Sequence, residues 1–399
     1  MRRRIRWYVL ILAFSPILAH AGEGEPLQEI REIGLILKAA QQGSSLENTV
    51  VHGLDFQQTP IMWQKIDVRG TVFLGCKFGG NDESLLVGRG ALVFPRFRDL
   101  PYNPYRTTLY TPAELFVTRG DENDRSLDQQ IYDHFVQRRR YGPSVMDALA
   151  QRIHDHAIDR ALVEYLDIDG TGTPRRKVVA IMGGHSSRRD DPCFRKVALL
   201  ACSLARQGYL VSTGGGPGMM EAGNLGAYLV DYGEEAVEDA VSTLARAPEG
   251  KSPGYYERVE EVLNKYPKGK DSLAIPTWFY GQEPCNKFGI HIAKYFSNAI
   301  REETLLSTAI CGVVFTPGSA GTTQEVFMTA AQNHYGSFGY YCPMVFLGKK
   351  RYAEETKIYD LLKELAKGRE YEKFMAISDD PDELVEFIKM HPPQKALQQ

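Results

Sequence analysis

KVVAIMGGHSSRRDDPCFRKVALLACSLARQGYLVSTGGGPGMMEAGNLGAYLV, residues 177–230, contains two short apolar runs, each ending in glycines and each followed by residues of helical character. Residues 178–182 read as a buried parallel strand, 194–207 as a helix, 209–213 as a second strand and 219–230 as a second helix. Asp191-Pro192 marks a helix start, with the acid as cap and the proline at the first helical position. The rhythm continues with a strand at 272–275, a helix over 286–309, a strand at 312–316, a helix at 322–333, a strand at 343–347 and helices at 354–367 and 381–390. Such alternation predicts the α/β class and a doubly wound parallel sheet, with ligands at the carboxyl ends of its strands.

Three of the predicted strand ends carry glycines. One turn runs Gly214-Gly215-Gly216-Pro217-Gly218-Met219-Met220-Glu221-Ala222, and another runs Pro317-Gly318-Ser319-Ala320-Gly321-Thr322-Thr323-Gln324-Glu325. The third, Gly183-Gly184-His185-Ser186-Ser187-Arg188-Arg189, precedes both. Glycine lets backbone approach a ligand closely, and the free N–H groups and dipole of a following helix favour an anion such as phosphate. A single glycine-rich turn can be glycine-rich for steric reasons alone, whereas several in one α/β pattern point to a phosphate-bearing ligand. Hydroxyls from Ser186, Ser187, Ser319 and Thr322 and the guanidinium groups of the third turn add polar contacts. Glu325, placed on the first turn of its helix, is either a helix cap or a carboxylate for chemistry at an anomeric carbon.

The 399 residues suggest about two domains with ample core. A net charge of -3, with 43% hydrophobic and 24% charged residues, gives no sign of a nucleic-acid surface, and no nucleic-acid partner is expected. Six cysteines (Cys76, Cys193, Cys202, Cys285, Cys311, Cys342) without a C-x-x-C pair argue against a zinc site, a disulfide framework or a redox centre. No metal and no cofactor is expected; pyridoxal phosphate in particular has no lysine in a Schiff-base context.

Residues 1–21 read as an export leader, with Arg2, Arg3, Arg4 and Arg6 before an apolar run and Ala19-His20-Ala21 at the cleavage position. Cleavage there would place the protein in the periplasm or outside the cell; retention would leave it in the cytoplasm. No other stretch is long and apolar enough to span a bilayer. Residues 22–176 form an N-terminal accessory α+β region: a helix at 27–42, turn-rich strands over 50–78 and helices over 127–166. The strands are read as a small β region packed on the main domain in preference to a few coils of a pentapeptide-type β-helix. The basic run Arg138-Arg139-Arg140 reads as a solvated face, and His154 and His156 face apart on a helix. Residues 167–172 start like a calcium loop, but Val178 stands where the closing Glu belongs, so a domain-joining turn is expected. Within the main domain, 177–390, residues 231–270 interrupt the alternation as an insertion, a candidate lid.

The two later turns together resemble the paired signatures of the LOG family, the cytokinin riboside 5'-monophosphate phosphoribohydrolases. The family pattern P-G-G-x-G-T-x-x-E is met at Pro317, Gly318, Gly321, Thr322 and Glu325. The resemblance implies a Rossmann-like domain, usually a homodimer, that hydrolyses the N-glycosidic bond of a nucleoside 5'-monophosphate to a free base and ribose 5-phosphate. It implies Glu325 as the catalytic carboxylate and Arg301, one residue early in ungapped register, as its partner. Substrate contacts fall on Gly184, Ser186, Ser187, Gly214, Gly215, Gly216, Gly218, Met220, Glu221, Gly318, Ser319, Gly321 and Thr322. Two departures stand out. Ser319 replaces the second glycine, and Gln324 stands where many members carry a second Glu, a loss of like charge that should let Glu325 ionise more readily. These departures keep a second reading open, a non-catalytic nucleotide sensor on the same core.

Overall fold

Every fifth residue between 46 and 76 is buried: Leu46, Val51, Phe56, Ile61, Ile66, Thr71 and Cys76. That spacing winds the chain into parallel coils. In the computed structural model, which describes residues 28–94, 97–116, 125–169, 173–281 and 286–396, β1 (Gln28–Ile30), β2 (Thr49–His52), β3 (Val72–Leu74) and β4 (Leu92–Phe94) pair in that order, all parallel. The β-helix-like winding is therefore present, and it has its own core, in which Trp63 packs edge-on against Phe56 and Phe73. The expected helix at 27–42 is split: its first residues form β1, and α1 (Ile33–Gln42) follows. Residues 1–21, Cys285 and residues 282–284 lie outside the described residues.

After α2 (Asp82–Gly88) and α3 (Pro112–Phe116) come α4 (Leu127–Gln137) and α5 (Val145–Leu166), each opened by a serine whose hydroxyl accepts a first-turn N–H. Then the main alternation begins: β5 (Val178–Met182), α6 (Pro192–Arg206), β6 (Leu210–Thr213), α7 (Met219–Tyr228), α8 (Glu234–Ala245), α9 (Tyr255–Lys265), β7 (Leu273–Ala274), β8 (His291–Ile292), α10 (Asn298–Ser307), β9 (Val313–Phe315) and α11 (Ala320–Tyr335). It closes with β10 (Tyr340–Tyr341), β11 (Met344–Leu347), α12 (Ile358–Ala366), β12 (Met375–Ser378), α13 (Pro381–Met390) and β13 (Gln394–Lys395). Asp191 caps α6 as expected, its Oδ1 accepting from Cys193 N at 2.8 Å.

Seven strands form one parallel sheet in the order β12-β11-β9-β5-β6-β7-β8. The chain winds outward from β5 in one direction through β8, then returns to β9 on its other side. The fold is thus a Rossmann-like doubly wound α/β sheet with an N-terminal α+β region, and its switch point lies between β5 and β9, where ligand crevices form. Every residue of β5 is buried, as a strand covered on both faces requires.

The two faces have separate cores. α6, α7, α8, α9 and α13 contribute to one. The other joins α10 and α11 to residues from α4, α5 and the 102–115 stretch, so α5 lies against the sheet as part of the same layer. The β-coils are tied to it by Arg31 with Glu164 at 2.7 Å and Arg160 with Glu29 at 2.9 Å.

Two expectations change here. The helix expected over 286–309 starts only at Asn298: the Asn286 carboxamide accepts from the amides of Phe288 and Gly289, making a turn, and Ala293 N and Tyr295 N then pair along the sheet edge with Ala274 and Pro276. The residues read as an insertion and lid, 231–270, form α8 and α9, whose apolar faces (Val237, Ala240, Val241, Leu244; Val259, Val262) enter the core beside α6. They are a wall, and their alternating charges pair across the surface, as Lys265 does with Asp239 at 2.8 Å.

Candidate active site

All three glycine turns meet at the carboxyl edge of the sheet. Gly184 N donates to Pro317 O at 3.0 Å, and Met219 N donates to Gly184 O at 3.1 Å. Gly218 adopts φ +67°, and a Cβ there would collide with the carbonyl oxygens of Gly184 and His185. A Cβ on Gly318 would overlap the Thr322 hydroxyl and come within 3.1 Å of Gly184 N. Gly218→Ala is therefore expected to destabilise the protein by at least about 1–2 kcal/mol, since both backbone strain and overlap oppose it. Urea unfolding measures this directly, and an unchanged midpoint would show that the turns do not pack in this way.

A polar layer holds the turns from below. Thr213 Oγ1 accepts from Gly215 N (2.9 Å) and donates to Asn224 Oδ1 (2.7 Å). Asn286 Nδ2 reaches both Asn224 Oδ1 (3.0 Å) and Gly216 O (3.1 Å). On the other side, Arg351 donates to Gly318 O at 2.8 Å and the Tyr352 hydroxyl to Thr316 O at 2.6 Å. These bonds leave Ser319, Ala320 and Gly321 exposed at the N-terminus of α11, where no side chain caps the helix. Ser319 has φ -106°, a backbone any residue adopts, so its Cβ meets no conformational obstacle.

Glu325 sits on the second turn of α11, since the helix begins at Ala320, and it caps nothing. Its buried carboxylate lies 3.9 Å from Arg301 Nη1. Gly214 is beside them, for a Cβ there would be 3.8 Å from the same nitrogen and in contact with Met220 Sδ. Arg301 therefore stands between the two glycine turns that resembled a paired signature. Its nearer partner is Glu302, at 3.0 Å. Arg301 Nε and Glu302 Oε2 are buried without hydrogen-bond partners, an arrangement that buried polar atoms seldom keep without a ligand or water. Burial first, and then the charge of Glu302, push the Glu325 carboxyl up against the pull of Arg301. Gln324 removes one like charge from beside Glu325, but another comes from Glu302, one helix away, a residue whose position in an ordinary helical run gave no signal.

The guanidinium groups expected to hold phosphate are otherwise engaged. Arg189 is fully buried and grips Glu221 through two bonds of 2.6 and 2.8 Å, while its Nη1 donates to Tyr255 O at 3.0 Å. The guanidinium also lies 3.4 Å from the centre of the Tyr255 ring. Arg188 pairs with Asp190 and Glu249. Glu221, expected to contact substrate, holds Arg189 and accepts from the Tyr255 hydroxyl at 3.5 Å, which ties α7 to the start of α9. With Ser186, Ser187, Pro217, Tyr255 and Tyr256 it lines a cavity of about 580 Å³ under α9. A second cleft, of about 460 Å³, opens beside Gln324 and the first turn of α10.

The N-terminal helices support this site. Asp155 on α5 accepts from Phe296 N and Ser297 N, both at 2.9 Å, and Asp159 accepts from the Tyr295 hydroxyl at 2.9 Å. Asp128 on α4 binds Lys294 (2.6 Å) and the Trp278 indole (2.9 Å). Trp278, Phe288, Lys294 and Tyr295 are thus core residues, fixing the segment that leads into Arg301. Arg140, read as part of a solvated face, lines the second cleft.

Fold and site together define a Rossmann-like α/β protein with a glycine-lined crevice at its switch point. No family profile matches the chain, and no curated protein matches it. Among solved structures it is similar to the molybdenum cofactor binding protein from the phototrophic bacterium Rippkaea orientalis (14% identity, TM-score 0.36), over 55% of this chain and 98% of that one. It is also similar to the Moco carrier protein from Chlamydomonas reinhardtii (14% identity, TM-score 0.34), over 54% of this chain and 97% of that one.

Proposed function

We propose that this protein hydrolyses the N-glycosidic bond of a nucleoside 5'-monophosphate, as its resemblance to the LOG family implies. The observation that carries the reading is the pairing of Arg301 with Glu325 at 3.9 Å beside Gly214, where two glycine turns converge. The phosphate rests on the exposed backbone at the start of α11, and the sugar extends toward Glu325. Glu325, once ionised, takes a proton from water as the water oxygen bonds to C1'. The C1'–N bond breaks, its electron pair leaves with the base, and the proton that Glu325 took from the water passes to the base nitrogen, which returns Glu325 to its ionised form. Arg301 steadies the phosphosugar and the developing charge.

Incubation of the full chain with AMP, GMP, CMP, IMP and cytokinin ribotides should release free base and ribose 5-phosphate in equal amounts. Absence of both from every nucleotide would refute the hydrolase. One observation favours a second reading, a nucleotide sensor without turnover: Arg301 sits closer to Glu302 than to Glu325, leaving the carboxyl buried and held toward its neutral form. That reading predicts thermal stabilisation by nucleotide with no base released.

A further inference from the structure

The cavity of about 580 Å³ under α9 takes no part in the hydrolysis, yet two glycine turns supply one of its walls. Ser186 and Ser187 line it from the turn after β5, and Pro217 from the turn after β6. That wall adjoins the phosphate position. A Cβ on Gly184 would lie 3.0 Å from Ser187 Oγ and 3.4 Å from Gly318 Cα, so these two atoms are no more than about 6.4 Å apart. A phosphate on the backbone that follows Gly318 therefore comes within reach of the Ser187 hydroxyl. Arg301 and Glu325 stand away from the cavity: α10 and α11 cover one face of the sheet and α9 the opposite face. The sugar and the cavity thus lie on opposite sides of the turns that hold the phosphate.

What the cavity can bind follows from which of its groups are already engaged. Both acids in the lining are held by arginines, Glu221 by Arg189 and Glu249 by Arg188. The Asn286 carboxamide is spent on the Phe288 and Gly289 amides, Asn224 and Gly216, and Lys287 pairs with Glu260. The Lys251 ammonium and the hydroxyls of Ser186 and Ser187 have no partner among the described residues. These are donors for phosphate oxygens. Ring surface completes the lining: Tyr256 is 51% exposed and Phe116 half-buried, while Tyr255, with the Arg189 guanidinium over its ring, stands edge-on to Tyr256. Flat rings stack on such surface whatever their edges carry, and the volume is that of a small-ligand pocket.

We propose that the cavity holds the far half of a ligand whose 5'-phosphate carries a second phosphate and, beyond it, a second flat ring: the chemistry of a dinucleotide bridged by a diphosphate. The inference rests on the nucleotide reading above and enlarges its substrate class. The glycosidic bond to be cleaved lies at Glu325, the diphosphate spans the glycine turns to Lys251, and the second base stacks on Tyr256. A mononucleotide fills only the first half.

Calorimetric titration of the full chain with AMP, ADP and diadenosine diphosphate, two adenosines joined 5' to 5', tests it. Diadenosine diphosphate should bind at least about tenfold more tightly than AMP, the gain that one base stacked on an aromatic ring supplies, with ADP between them. Lys251→Ala should remove the advantage of ADP over AMP, and Tyr256→Ala that of diadenosine diphosphate over ADP. Both side chains are exposed, so neither change threatens the fold. Equal affinity for the three ligands would overturn the proposal, as would a Tyr256 variant that keeps the full preference for the dinucleotide. Tight, Tyr256-dependent dinucleotide binding with no base released from any nucleotide would leave the cavity's role standing and refute the hydrolase. Release of base from AMP with no added affinity for diadenosine diphosphate would do the reverse, and failure of all three to bind would overturn both.

Discussion

Glu325→Gln is expected to lower turnover of a nucleoside monophosphate by about 10²–10⁴-fold while leaving nucleotide affinity nearly unchanged, because the amide keeps the shape of the carboxyl but cannot take a proton. Burial, and secondarily the Glu302 charge, raise the Glu325 carboxyl to about 8 despite Arg301. Tyr352 also faces this carboxylate across the β9 turn, its hydroxyl fixed on Thr316 O. A base must be ionised to act, so the rate should climb through neutral pH and level off only in mildly alkaline solution, well above the ordinary carboxylate range. Glu302→Gln removes the like charge and frees Arg301 to turn toward Glu325, so that rising limb should move to lower pH. A pH–rate profile of the unaltered protein beside the two variants checks both statements. If the Glu302 variant loses rate without moving the limb, its carboxylate has only a packing role. Stability carries the opposite sign from activity. A carboxyl raised in the folded state contributes most below its unfolded value of 4.5, and the contribution is lost between there and the folded value of about 8; Glu325→Gln should abolish that decline across mildly acid and neutral pH.

Arg189→Met should destabilise the fold by about 3–5 kcal/mol, the usual result of stripping one partner from a buried ion pair and leaving a carboxylate stranded. Glu221 would lose both of its short bonds, and the carbonyl of Tyr255 would lose its donor. The lesion is electrostatic, so a double variant, Arg189→Met with Glu221→Leu, should recover much of the loss. Chemical denaturation of the single and double variants measures the effect; a single-variant cost below about 1 kcal/mol, the level of an exposed pair, would show that water reaches this site.

Local signals located the central elements. The apolar runs at β5, β6 and β9, the Asp191 cap and the glycine turns are each legible within a few residues, because strand burial, capping and turn chemistry are short-range. Arg301 and Glu325 were found as a pair only through a family pattern, although they meet in space. What the sequence concealed is long-range. The Lys294–Asp128 contact spans 166 residues and Asp159–Tyr295 spans 136, so neither acid differs locally from a surface residue. Arg189 stands in a turn rich in polar groups and reads as a ligand for phosphate until Glu221 is seen to occupy it. The segment before α10 has helical composition, but the Asn286 turn, its pairing with β7 on one side and Tyr110 on the other, and the bonds from Asp128, Asp155 and Asp159 hold it extended. The five-residue spacing in the N-terminal coils was readable, but only as burial at fixed intervals, without the alternation that marks ordinary strands.

α5 covers one face of the main sheet, and Asp155 and Asp159 hold the strand-edge segment that ends at α10. The boundary suggested by composition, at residue 177, therefore cuts through a single hydrophobic layer. A chain beginning there would present Val178, Ala180 and Met182 to water on the side that α4 and α5 now shelter, and Arg301 would lose the scaffold that aims it. The smallest autonomous unit carrying this crevice accordingly includes the helices at 127–166, and recombination that exchanged the C-terminal half alone would transplant the glycine turns without the means to hold them in register.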